Sequence, residues 1–129
     1  MNNILQIKSD NNKKVAEYSV KNKLFDVGVS RYYYSVYLLI SQYIKVHTTS
    51  LERRKIITHY DRFDKLQNMI NDNRIFGVIN NLNKMRKSRN ISEYSPDKII
   101  SNIDSFNYCF FDIYKKVISI LKELDVCDV

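Results

Sequence analysis

Only two glycines and one proline occur in 129 residues. Those residues supply most tight turns, and an all-β sandwich or barrel needs a turn every 8–12 residues or so. A chain with so few must run in long uninterrupted segments, which points to an all-α domain. With 44% hydrophobic and 27% charged residues the composition is that of a globular protein, and the length fits one domain over 1–129. The first ten residues are polar enough to be expected as a flexible or loosely packed lead-in.

Hydrophobic spacing predicts about five helices in an up-and-down bundle. The first covers about 11–23, with Val15, Tyr18 and Val20 on a weak apolar face and Asp26 placed to cap the next helix. The second, about 27–46, is apolar around nearly its whole circumference, as expected of a central element. A third, about 51–71, carries Ile56, Tyr60, Phe63, Leu66 and Ile70 on one stripe. A fourth, about 74–89, carries Ile75, Ile79, Leu82 and Met85, and ends in the basic run Lys84 to Arg89, where cations suit the negative end of the helix dipole. After a non-helical 90–94, Ser95 as N-cap, Pro96 and Asp97 read as the start of a last helix whose apolar residues continue through Phe106, Phe110, Val117 and Leu124.

Lysine and arginine exceed aspartate and glutamate by 21 − 14 = 7, which favours a polyanionic partner such as RNA or a nucleotide. The two cysteines, Cys109 and Cys127, are too few for a disulfide framework or zinc site, and Cys109 reads as a small core residue. His47 and His59 are twelve apart with no cysteine near them, so no metal is expected. Neither a glycine-rich phosphate loop nor a glycine-flanked serine elbow is present, and no cofactor is expected. Residues 1–14 lack the apolar stretch of a signal peptide, and Tyr32–Ile44 falls short of the roughly 20 residues that span a bilayer. The expected location is the cytoplasm, without membrane association. Arg31, set in the apolar second helix, should pair with an acid or reach the basic run, because burying it alone is costly. The neighbouring tyrosines Tyr32, Tyr33, Tyr34, Tyr37 and Tyr43 suit a core or dimer interface better than base stacking.

Two stretches resemble landmarks of the HEPN (higher eukaryotes and prokaryotes nucleotide-binding) domain family. Leu24-Phe25-Asp26-Val27-Gly28-Val29-Ser30-Arg31-Tyr32-Tyr33-Tyr34-Ser35-Val36-Tyr37 is similar to the family's opening, "A-V-S-R-x-Y-Y-A-x-Y". Met85-Arg86-Lys87-Ser88-Arg89-Asn90-Ile91-Ser92-Glu93-Tyr94-Ser95-Pro96 resembles its second landmark, "L-R-x-x-R-N-x-A-D-Y-x-P". The resemblance spans about 11–124. It implies a homodimer that handles RNA or nucleotides in a prokaryotic toxin–antitoxin or antiphage system, beside a nucleotidyltransferase or antitoxin partner. It also implies a metal-independent ribonuclease site, an arginine followed four to six residues later by a histidine.

No histidine follows Arg86 or Arg89 at that spacing; Tyr94 stands there instead. The resemblance therefore implies an RNA- or nucleotide-binding module with degraded nuclease activity. Arg89 would contact phosphate, Asn90 would position it, and Arg86, Lys87, Lys84 and Arg31 would add attraction. Glu93, Tyr94 or a distant His59 would serve an active endoribonuclease, if the third helix brings His59 to the corner. Tyr94 would also be a target for modification. Outside the resemblance, a non-catalytic helical adaptor fits the same composition.

Overall fold

A computed structural model describes residues 3–127, and they are all-helical, with no strand among the described residues. Seven α-helical segments follow in order: α1 (Ile4–Lys21), α2 (Phe25–His47), α3 (Ser50–Arg53), α4 (His59–Met69), α5 (Arg74–Tyr94), α6 (Ile103–Phe106) and α7 (Asp112–Glu123). A π-helical turn, Asn107–Phe111, joins α6 to α7. The long helices form a bundle around α2, which packs against α1, α4, α5, α6 and α7. Its Val29, Tyr33, Val36 and Ile40 are fully buried against Phe63, Leu66, Leu82, Met85, Phe110 and Leu121 from the surrounding helices. Among the described residues, no helix is long and apolar enough to cross a membrane.

Helix α1 begins seven residues earlier than its apolar pattern suggests, and the expected lead-in from Ile4 to Asp10 is helical. The face it buries is also different. Val15 and Tyr18 are exposed, whereas Ser9, Ala16 and Ser19 are buried. These small side chains let two backbones come close. Ser9 Oγ donates to Ser35 O of α2 at 2.7 Å, and Gly28 of α2 lies so near α1 that an added Cβ would fall 2.6 Å from Val20 Cγ2. Hydropathy does not mark an interface of this kind.

With glycine scarce, two other residue types turn the chain. Helix α1 ends with Lys23 at φ 63°, its N–H donating to Val20 O and the Leu24 N–H to Ser19 O. Helix α7 ends the same way, with Asp125 at φ 59° and N–H bonds from Asp125 to Lys122 O and Val126 to Leu121 O. Both are Schellman closures, a position glycine usually fills because a Cβ is crowded there.

Three boundaries depart from the sequence reading. The third helix is split: Thr49 and Thr58 each form a capping box, with Glu52 and Asp61, so α3 and α4 start separately across an irregular 54–58. Its Tyr60 is exposed, leaving Phe63 and Leu66 as the buried stripe. Helix α5 continues through the stretch expected to be irregular and stops at Tyr94, so Lys84–Arg89 lies mid-helix and its last turn contains no cation. Ser95 closes α5 rather than opening the final helix. That helix starts at Ile103 instead, where Asn102 Oδ1 accepts from Ser105 N at 2.8 Å. Cys109, read as a core residue, is exposed in the π turn, whereas Cys127 is buried.

Glycine content and stability should separate at two positions. Gly28→Ala overpacks the α1–α2 contact, and overpacking costs about 1–3 kcal/mol against roughly 1 kcal/mol gained in helix propensity. Lys23→Gly relieves a strained left-handed residue and should stabilise by about 0.5–1 kcal/mol. Urea denaturation midpoints should move in opposite directions.

Candidate anion-binding corner

The end of α5 meets the middle of α2 and the start of α4 at a cluster of arginine, tyrosine and histidine. Arg89 continues the buried stripe Ile75–Ile79–Leu82–Met85, so its guanidinium is carried inside and is 6% exposed. A buried cation needs partners. Because α5 continues to Tyr94, Glu93 sits one turn on, and Arg89 Nη1 donates to Glu93 Oε2 at 3.0 Å and to the Tyr94 hydroxyl at 3.3 Å. The rings of Tyr33, Tyr34 and Tyr94 surround the guanidinium at 5.5, 5.3 and 5.8 Å. Cation–π contacts of this sort contribute about 0.5–2 kcal/mol each.

Electrostatics follow from the packing. Burial works against charge on Glu93, but hydrogen bonding led by Arg89 outweighs it and holds the carboxyl below its ordinary range. Burial likewise opposes the Arg89 charge and is overcome by Glu93, Tyr34 and Tyr94. The guanidinium donors are nevertheless not all used. The Nε atoms of Arg86 and Arg89 are both buried without an acceptor.

His59, the first residue of α4, reaches this corner. The Tyr33 hydroxyl lies 2.6 Å from His59 Nδ1, and the imidazole stacks on Tyr37 at 4.1 Å, with the Arg62 guanidinium over the Tyr37 ring, 5.0 Å from its centroid. Burial, then the charges of Arg89, Arg86 and Arg62, lower the His59 pKa to about 4. Burial raises the Tyr33 pKa strongly, so the phenol keeps its proton; in the tautomer with the ring proton on Nε2 it donates to Nδ1, and in the other it accepts from Nδ1–H.

Asp26 ties the corner to the connector that follows it. Rather than capping α2, its carboxylate accepts from Ser92 Oγ at 2.7 Å and from Ile100 N at 3.1 Å.

The expected site residues therefore divide. Arg86, Arg89, Glu93, Tyr94 and His59 lie together, while Lys84, Lys87 and Asn90 are exposed along α5. Asn90 does not position Arg89, since Glu93 and Tyr94 take its hydrogen bonds among the described residues. Arg31 is on another face of α2, where Nη1 donates to Asn12 Oδ1 at 3.3 Å, and among the described residues neither an acid nor the basic corner holds it. Sequence reasoning missed Arg62, although its place one turn after His59 on a helix was a readable signal. Among the described residues, no group of three or more histidine, cysteine or acidic side chains is arranged to hold a metal ion.

No family model, curated protein or solved structure matches the chain.

The imidazole gives a pH test. Unfolded histidine binds a proton below about 6.5, whereas the folded His59 does so only below about 4. Between those values the unfolded state holds more protons, so this contribution is fully present above pH 6.5 and is lost as pH falls toward 4. The stability difference between wild type and His59→Gln should change across that window and be level above it, measured by urea denaturation at several pH values.

Proposed function

We propose that the chain is an HEPN-type domain that binds RNA or nucleotide phosphate at the corner formed by Arg86, Arg89 and their neighbours. The observation that carries this reading is a charge imbalance at a half-buried site. Three guanidinium groups, those of Arg62, Arg86 and Arg89, act on one imidazole, and two of them have a buried N–H without an acceptor. An unsatisfied buried donor costs about 1–3 kcal/mol, so the corner gains by turning these donors toward an oxyanion. A net excess of seven cations over the chain favours a polyanion at longer range.

Glu93 belongs to this reading as a competitor. Its carboxylate occupies Arg89 in the place that a phosphate oxygen would take. In the same reading the domain works as a homodimer in a toxin–antitoxin or antiphage setting. Ile91, Tyr94 and Ile99, all exposed around the corner, offer the second copy apolar surface to cover.

Binding of single-stranded oligouridylate, followed by calorimetry, tests the assignment. Arg86→Gln should weaken it on the order of tenfold, as loss of a charge-assisted hydrogen bond does. Glu93→Gln should tighten binding several-fold while lowering the denaturation midpoint. Equal affinities in all three proteins would refute the phosphate corner.

A second reading, a metal-independent endoribonuclease, is favoured by the position of His59 beside the arginines. With the ring proton on Nδ1 and the Tyr33 oxygen accepting it, Nε2 of the neutral imidazole can take the proton of an attacking 2′-hydroxyl while arginine steadies the phosphate charge. Purified protein incubated with total RNA and EDTA should then leave cyclic-phosphate ends, and both Arg89→Ala and His59→Ala should abolish them. Intact RNA at micromolar protein removes this reading and leaves the binding module.

A further inference from the structure

We propose that His59 takes up a proton when the corner binds a phosphodiester, so that it joins the site as a fourth cation and makes affinity for RNA rise as pH falls. This rests on the phosphate-binding reading above and adds to it a residue and a dependence.

Side chains of α2, α4 and α5 surround the ring. From α2 it meets Tyr33, Tyr34 and Tyr37, whose rings lie 5.7, 6.3 and 4.1 Å from it. From α5 it feels Arg86 and Arg89, and from its own helix Arg62. Among the described residues, no carboxylate balances these charges at the imidazole. Glu93 is committed to Arg89, and Asp61, the acid nearest in sequence, accepts from the Ile57 and Thr58 backbone N–H groups at 3.1 and 3.0 Å as part of the α4 cap. The free protein therefore holds the imidazole neutral by burial and by like charge, and the second of these causes is removable.

A bound phosphodiester removes it. One negative charge among three guanidinium groups cancels repulsion at the ring and adds an attraction, both of which favour imidazolium. The proton comes from solvent and, in the tautomer with the ring proton on Nε2, adds at Nδ1, the nitrogen that lacks one. Tyr33 then exchanges roles across the same 2.6 Å contact: its oxygen accepts from Nδ1–H, and its own O–H turns off the ring. No side chain has to travel, because the stacking on Tyr37 already fixes the plane of the imidazole.

Linkage makes this measurable. Oligouridylate phosphodiesters and uracil do not titrate between pH 5 and 8, so calorimetry in two buffers of different protonation enthalpy reads proton uptake by the protein. Wild type should take up a fraction of a proton that grows toward one as pH falls from 7.5 to 5.5, and affinity should rise by up to tenfold per pH unit. In His59→Gln both effects should largely disappear while binding persists. In the unsubstituted protein, the His59 ring resonances should titrate near pH 4 when free and above pH 6 when saturated with oligouridylate. An unchanged His59 titration, or the same uptake in His59→Gln, overturns the proposal and leaves the phosphate corner standing. Absence of oligouridylate binding by the wild type at every pH overturns both.

Discussion

A guanidinium group cannot be left alone inside a protein, and Arg89 shows what must be built around one that is. Withdrawing an unpaired ion from water costs several kcal/mol, and the structure answers with an ion pair one turn along the same helix and three aromatic faces. Those partners come from two elements only, α2 and the final turn of α5. The crossing of these helices is thereby fixed at its most polar point, and Tyr33 extends the arrangement to α4 through His59. Core packing and the candidate site thus share residues: Tyr33 is fully buried and at the same time touches both the arginine and the imidazole.

The scarcity of glycine has consequences at both ends of the bundle. Chain reversals at Lys23 and Asp125 are made by residues that pay a conformational penalty for the left-handed region. One of the two glycines is kept for the place where α1 and α2 come closest, opposite Val20. The polar side of α1 can then lie against α2, because serine and alanine are short and the serine hydroxyls donate to backbone oxygens, as Ser9 does to Ser35 and Ser19 to Val15.

How much of this was legible depended on whether hydropathy carried it. The all-α class, the central place of α2 and the stripe from Ile75 to Met85 follow from apolar spacing, which reports burial directly. Helix boundaries did not, because capping decides them. Thr58 with Asp61 starts α4 where an unbroken apolar period runs on, and Ser95–Pro96, a sound N-cap signal, instead marks the place where α5 stops. Arg89 was singled out by a motif, but its burial was not, since a charged residue on a buried stripe looks like the end of the stripe. The imidazole contact to Tyr33 joins residues 26 positions apart and leaves no local pattern.

The chemistry of the corner is set by the length of α5 more than by the identity of its residues. If α5 ended at Arg89, the same arginine would sit in a helix terminus, and Glu93 and Tyr94 would have no fixed direction. Because the helix runs five residues further, the i,i+4 geometry places the Glu93 carboxylate on Nη1, and the phenol of Tyr94 follows. The arginine is charge-paired from within at Nη1, with Nε left without an acceptor, and in the proposed reading an external anion would compete with an acid attached to the same helix. Such competition favours a ligand carrying several charges over a lone ion, since a polyanion also meets Arg86 and Arg62 as it displaces one carboxylate. If the corner takes an anion as proposed, the extension at the end of α5 would act as a filter on charge number, and Asp26 ties that extension to α2 by accepting from Ser92 Oγ and the Ile100 amide.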